Sequence, residues 1–415
     1  MAEIDLFGDA VPAAKGRNLF TPGFGTPPYR LVGREDEIGE IEGGLRSGPA
    51  DPRFASLLLG PRGSGKTVIL NELESTVASK GWAVLSADTS APGIYARMER
   101  AIRKYATTSE DSPEGLLPPD RESETEVSVS VKVASISRRS KRRTTPLPNI
   151  EESLEIMGLH AQSRGSAVLV TVDEIHSGDV EELRSFASDM QRLIKRRLLP
   201  IAFVGAGLPN VRNLFQREKI TFFLRCHDEP IGSLNQSSVL SFLSNTLTDA
   251  GREYTADAVM EMASASGGYP YKMQLIGDEA WKISGSRSKV VDSVIADLAI
   301  REASNKLRQR VHESLWHDLP RSDQAILKAV AQHGGLVARR TLGASLPLES
   351  SHVTHRIKEL VDIGCLVRDG RGPIRLGPLA SMHLIEDIMS DEKESALATT
   401  AEHAAEHTPM PEPNR

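Results

Sequence analysis

Short apolar runs alternate with amphipathic stretches through the first half of the chain. Phe54 to Leu59 predicts a buried strand, and Val68, Ile69, Leu70, Leu73 and Val77 then recur at helical spacing. Trp82 to Ala87, Ala167 to Val172 and Leu198 to Val204 predict three further strands. The intervening pattern is helical. Leu31, Ile38, Ile41 and Leu45 can share one face of a helix from Arg30 to Leu45. Asn149 is placed to cap a helix through His160, with Glu152 three residues on, and another helix is expected from Val180 to Arg197. Strands that alternate with helices predict an α/β fold with a parallel sheet covered on both faces.

The pattern then changes. Residues 236–305 read as helices only, broken at Gly267-Gly268-Tyr269-Pro270, and residues 320–390 carry three short helical patterns and a Gly-rich hairpin. Residues 1–28, rich in Gly and Pro, are expected to form an arm, and the polar tail 391–415 to be disordered. Residues 107–148 interrupt the α/β pattern with an acidic, Pro-rich stretch, an alternating segment Val127 to Val133 and a basic run at Arg138, Arg139, Lys141, Arg142 and Arg143. A mobile insertion with an edge strand or hairpin is expected there, its basic run a solvated linker.

Length and composition narrow the class. At 415 residues there is room for two or three cores, and no apolar run approaches the roughly 20 residues of a membrane span. The first residues lack the basic-then-apolar shape of a signal peptide. Cys226 and Cys365 have neither metal-ligand spacing nor a disulfide framework; both are expected to be buried fillers in a reducing cytoplasm. The net charge of −6 opposes indiscriminate nucleic-acid binding while leaving a local basic surface possible.

The strongest chemical signal is Gly60-Pro61-Arg62-Gly63-Ser64-Gly65-Lys66-Thr67, which fits G-x-x-x-x-G-K-[ST] between a predicted strand and a predicted helix. Such a loop lets backbone N–H groups curl around phosphates at a helix N-terminus that runs on through Val68. Lys66 adds an ammonium group, and the Thr67 hydroxyl is placed to ligate Mg²⁺. A bound nucleoside triphosphate is the expectation. About a hundred residues on, Val168 to Val172 ends in Asp173-Glu174. Asp173 is expected to hold Mg²⁺ and Glu174 to polarise water, so the pair implies hydrolysis. Asp173-Glu174-Ile175-His176 also spells a helicase DExH motif, but no second domain with an arginine motif accompanies it.

The last unit predicts helices at Ser322–His333, Arg339–Leu346 and Ser350–Ile363, then a hairpin through Asp369-Gly-Arg-Gly-Pro373. This is a helix-turn-helix with a wing. In the third helix Val353, Ile357, Leu360 and Val361 face inward, leaving His352, His355 and Lys358 outward with Arg356 flanking. With Arg371 in the wing these are the candidate DNA contacts. Between residues 320 and 379 there are nine Lys and Arg against five acids.

Together these motifs resemble the AAA+ ATPases of the origin-recognition, initiator-like group in its bacterial form. Phe20-Thr-Pro-Gly-Phe-Gly25 with Val32-Gly33-Arg34-Glu35 is similar to that family's adenine-side motif, and Gly205-Ala-Gly-Leu-Pro209 to the segment after its fourth strand. Phe222-Phe-Leu-Arg225 resembles the region of its arginine finger, and Gly267-Gly-Tyr-Pro-Tyr-Lys-Met-Gln274 its sensor 2 segment in the lid. The resemblance implies a nucleotide-binding domain at 29–235, a helical lid at 236–310 and a winged helix at 320–390. It implies ATP and Mg²⁺ as cofactors, with Val32, Gly33, Arg34, Tyr269, Pro270 and Lys272 beside the nucleotide and Arg225 reaching a neighbouring subunit. An ATP-dependent switch acting on duplex DNA is expected, with ATP-dependent self-association, no membrane and a cytoplasmic location. Two departures point to slow turnover: Val204-Gly205-Ala206 offers no polar sensor 1 side chain, and Tyr271 and Lys272 stand where the sensor 2 arginine belongs. The alternative is a STAND-like signalling or scaffold ATPase whose winged helix binds protein.

Overall fold

A computed structural model describes residues 16–23, 27–89, 93–116, 149–196, 198–285, 289–346, 350–368, 372–380, 382 and 384–392. The alternating Val127 to Val133 segment, the basic run, most of the tail and Arg371 lie outside the described residues.

Helix α1 spans Glu35–Ser47, five residues later than the sequence pattern predicts. Gly33 has φ +65°, which no continuing helix accommodates, and Glu35, Asp36 and Glu37 then meet the helix's positive end. Strand β1 (Ala55–Leu59) leads through the glycine-rich loop into α2 (Lys66–Ser79), then β2 (Ala83–Asp88) and α3 (Ile94–Thr108). Asn149 accepts the Glu152 N–H at 2.8 Å, as its sequence position predicts, and starts α4 (Ile150–Ser163). Then come β3 (Val168–Asp173), α5 (Val180–Gln191) and β4 (Ile201–Gly207). β4 starts three residues late, because Leu198 has φ +53° and Pro200 lacks an N–H for the ladder. Helices α6 (Val211–Arg217) and α7 (Thr221–Leu224) and strand β5 (His227–Pro230) complete the unit. The sheet order is β2-β3-β4-β1-β5, and every pairing is parallel. Both faces are covered, so β1 and β4 are buried along their whole length.

The second half has its own core. Helices α8 (Gln236–Asp249), α9 (Ala256–Ser266), α10 (Pro270–Gly285) and α11 (Ser293–Leu307) pack together. Two short strands, β6 (Glu253–Tyr254) and β7 (Val290–Val291), pair among them where the sequence predicts helices only. Two residues are too few to show a strand period. Helix α12 (Glu313–Asp318) leads to α13 (Arg321–Gln332), β8 (Leu336–Val337), α14 (Arg339–Ala344), α15 (Ser350–Ile363), β9 (Leu366–Arg368) and β10 (Ile374–Leu376). These strands form an antiparallel sheet in the order β8-β10-β9. One continuous hydrophobic cluster runs from Phe242 and Ile276 through Leu307 and Trp316 to Leu360 and Ile374, so the helical bundle and the C-terminal unit are fused by packing. Phe20 joins this cluster and packs edge-on to Phe242 at 5.9 Å. That part of the expected arm is therefore docked.

Cys226 and Cys365 are both buried, and burial pushes the Cys365 thiol up to about 12. Among the described residues, no helix is long and apolar enough to cross a membrane.

Candidate functional site

A cleft of about 390 Å³ opens where the α/β unit meets the bundle, at the carboxyl end of β1. Its floor is Arg62, Gly63, Ser64, Gly65, Lys66, Thr67 and Val68. Gly65 holds φ +97° as the cap of α2, and Gly63 φ +71°. A side chain at Gly63 would also collide with Tyr269, whose hydroxyl lies 2.3 Å from the position of an added Cβ. The loop's curl thus depends on glycine both for conformation and for space. Lys66 is buried, and its ammonium donates to the carbonyls of Gly60 and Pro61, each at 2.9 Å. Burial pulls its pKa down, against the upward pull of Glu174 and Asp173. Those carboxylates keep the site balanced between charges of both signs.

Thr67 Oγ1 donates to Asp173 Oδ2 at 2.7 Å, although β1 and β3 are separated by β4. The end of β4 between them carries two glycines with no room for a side chain. A Cβ on Gly205 would lie 2.8 Å from Leu57, and one on Gly207 2.8 Å from Ile175. Two hard oxygen donors 2.7 Å apart suit adjacent corners of a Mg²⁺ octahedron, whose edge is about 2.9 Å for ligands at about 2.05 Å. The donor set fits the ion. Among the described residues no group of three or more His, Cys, Asp and Glu side chains forms another metal-sized cluster, so His352 and His355 have no such third partner.

Glu174 lines the cleft at φ +53°, a left-handed conformation that a non-glycine residue adopts at a cost of about 1–3 kcal/mol. The surroundings hold it there. Asp173 Oδ1 accepts the Glu174 N–H at 2.8 Å, and Thr89 Oγ1 donates to the Glu174 carbonyl at 2.5 Å. Burial, then the neighbouring Asp173, raise the Glu174 pKa, partly opposed by Lys66 and Arg62. Such a carboxylate is poised for proton transfer.

The other walls come from Val32 and Arg34 on one side and Pro270, Tyr271, Met273 and Gln274 on the other. Arg34 is buried and donates to the carbonyls of Ser64 (3.0 Å) and Gly232, so it braces the loop from behind. Thr21 lines the cleft too, its N–H donating to Gln274 at 3.0 Å. Thr21 and Gln274 both fall in segments that resemble family motifs, but the sequence pattern singles out neither as a site residue.

Several expected residues lie elsewhere. Gly33 packs on Ser238 of α8, and Gly60 donates its N–H to Gly207 at the strand exit. Pro61 faces the C-terminal unit, its Cβ only 2.7 Å from where a side chain on Gly364 would begin. Lys272 stands outside the cleft lining and lies near enough to His312 to depress that imidazole's pKa. It does not stand in for a sensor arginine in this arrangement. Arg225 is exposed at the end of α7 and does not line the cleft of its own chain. Arg212 fixes that end by donating to the carbonyls of Phe223 (2.6 Å) and Leu224 (3.3 Å).

On α15, Val353, Ile357 and Leu360 are buried while His352, His355 and Lys358 are exposed, next to exposed Arg339 and Arg340. Arg356 differs from its expected outward role. Its guanidinium makes a two-point ion pair with Asp323, whose side chain is fully buried, and a second contact with Glu359. Asp323 lies 33 residues away, so sequence spacing could not reveal the pairing.

The loop, the Thr67–Asp173 bridge and the parallel sheet define a P-loop ATPase domain of the AAA+ type. Residues 30–203 match the AAA ATPase domain family. The chain shares its fold with the ORC2 protein of Aeropyrum pernix, solved with ADPNP and ADP, at 14% identity and TM-score 0.58 over 92% of this chain and 99% of that one. A Walker-type ATPase of Pyrococcus abyssi is similar at 16% identity and TM-score 0.57, over 86% and 95% of the two chains. No curated protein sequence matches the chain. The chain thus shares the fold of these two proteins, with the AAA ATPase domain match over residues 30–203.

Proposed function

We propose that this protein is a slow ATP-dependent switch that engages duplex DNA through a C-terminal winged helix. The observation that carries the proposal is the fusion of the bundle and the C-terminal unit by one hydrophobic core, beside which Gly364, at the end of α15, lies close against Pro61 of the phosphate loop. A change at the cleft has a packed route to α15.

In this reading Lys66 and the backbone of residues 62–67 grip the triphosphate. Thr67 and Asp173 would hold Mg²⁺, which when bound neutralises charge on the phosphate oxygens. Glu174 takes a proton from the attacking water, and the lid residues Tyr271 and Gln274 close over the base. The apolar end of β4 leaves water without a sensor side chain from that strand, consistent with slow turnover. Arg225, exposed at the end of a helix that Arg212 braces, is available to a neighbour's γ-phosphate in an ATP-dependent assembly. Three helices and a β8-β10-β9 sheet support the winged-helix reading, with His352, His355 and Lys358 exposed on the third helix.

Fluorescence anisotropy on a duplex at several salt concentrations, with and without ATP, tests the output. Salt-sensitive affinity that changes with nucleotide is expected. Indifference to duplex DNA at low salt in both states would defeat the DNA reading. It would favour the second one, a STAND-like scaffold whose winged helix binds protein, which the overall charge of −6 and the missing sensor arginine support.

A further inference from the structure

The short 3-10 turn Ile175–Ser177 carries His176 back against the end of β3. Its side chain is only 12% exposed, and Nε2 lies 3.2 Å from Glu174 Oε2. On the other side of the ring, Nδ1 accepts the Leu208 N–H at 3.4 Å. An accepting Nδ1 carries no hydrogen, so in the neutral ring the proton sits on Nε2, toward Glu174. Burial, then Lys66 and Arg62, press the imidazole pKa down to about 4, which keeps the ring neutral near pH 7. The contact is therefore that of a fixed neutral donor with a carboxylate and not of an ion pair.

Nε2 is buried without an aligned acceptor, although Oε2 is close enough. An unsatisfied buried donor is destabilising, and rotation of the Glu174 carboxylate about its last torsion would satisfy it. Glycine also leaves room for the turn that carries the ring: a Cβ at Gly207 would stand 2.8 Å from Ile175 and 3.6 Å from His176 Nδ1. Leu208 directly follows β4, the strand whose end offers no polar side chain.

We infer that His176 is a positioning residue: held by the Leu208 N–H, it donates from Nε2 to the Glu174 carboxylate and aims the free carboxylate oxygen at water. The inference rests on the proposed role of Glu174 in hydrolysis. The charged neighbours of the carboxylate are Asp173 and Asp88, which oppose its charge, and Lys66 and Arg62, which favour it, so His176 is the neutral donor among them. His176 thereby links the end of β4 to the base, a link that family-type sensor residues make with a side chain of the strand itself.

The test compares His176→Leu, which removes the donor, with His176→Gln, which keeps an N–H of similar reach. His176→Leu is expected to lose about 10-fold or more in kcat while its Kd for a fluorescent ATP analogue stays within about 3-fold, and His176→Gln to recover most of the loss. Nitrogen-15 NMR of the wild-type protein should show the Nε2–H tautomer, with that resonance moving in Glu174→Gln. Wild-type kcat in His176→Leu, equal loss in both variants, or an Nδ1–H tautomer would overturn the inference. If wild-type protein binds ATP without turning it over, it is the hydrolysis reading that fails. The tautomer and its response to Glu174→Gln still decide whether His176 holds the carboxylate.

Discussion

Thr67 and Asp173, 106 residues apart, are joined by a 2.7 Å hydrogen bond over the end of the intervening strand β4. The two oxygens are already spaced as neighbouring ligands of one small cation. Thr67→Ala is expected to raise the ATP Kd about 10-fold or more in the presence of Mg²⁺ and far less in EDTA. Isothermal titration under both conditions checks this, and equal losses would remove Thr67 from the metal site.

Glu174→Gln should separate binding from turnover. The amide keeps the shape of the side chain and loses the proton-accepting charge, so ATP affinity is expected to stay within about 3-fold while hydrolysis falls about 100-fold or more. Phosphate release and equilibrium binding on the same preparation give both numbers. Unchanged turnover would take Glu174 out of the chemistry.

Arg356 and Lys358 are two residues apart on α15 and should behave in opposite ways. Arg356→Ala strands the fully buried Asp323 carboxylate and is expected to cost about 3–5 kcal/mol of stability in urea melts. Lys358→Ala leaves the fold within about 0.5 kcal/mol of wild type. If α15 meets DNA, it lowers the salt slope of binding by about one. A stable Arg356→Ala protein would contradict the structural role of that ion pair.

Acidification should weaken the fold through His312. Burial lowers its pKa below the ordinary 6.5, with a smaller contribution from Lys272, opposed by the hydrogen bond to the Pro378 carbonyl. The unfolded chain therefore binds this proton more readily than the folded one. Its contribution is intact above about pH 6.5 and declines as pH falls from there toward the folded-state value. His312→Gln retains a donor for Pro378 and should show a smaller drop in urea midpoint between pH 7.5 and 5.5. An identical drop would exclude His312 as a source of acid sensitivity.

Local chemistry was the most legible part of this sequence. The loop 60–67 and the pair Asp173-Glu174 are contiguous, and each follows an apolar run, so order along the chain already encodes order in space. The predicted α15 agrees with the observed Ser350–Ile363 at both ends, because four apolar residues mark one face. What stayed hidden depends on contacts between distant segments. Nothing near Arg356 announces Asp323, and Gly33 delays the start of the first helix through a backbone angle that composition does not display. His176 was visible as the last letter of a motif set aside because no helicase-type second domain accompanies it. Its relation to Glu174 needed the turn at 175–177 and the Leu208 amide to become apparent.

The contact between Pro61 and Gly364 gives the molecule the geometry of a lever. Gly364 directly follows the 14-residue helix α15, so the far end of that helix lies about 20 Å from the phosphate loop's point of pressure. A tilt of about 10° about this point would carry the Ser350 end through roughly 3.5 Å, close to the rise of one base pair. Distance measurements between probes at Ser351 and on the α/β unit, with and without ATP, would read that displacement directly, and a fixed distance would rule the lever out. A small adjustment of the phosphate loop would then be enough to displace the far end of α15 by several ångströms.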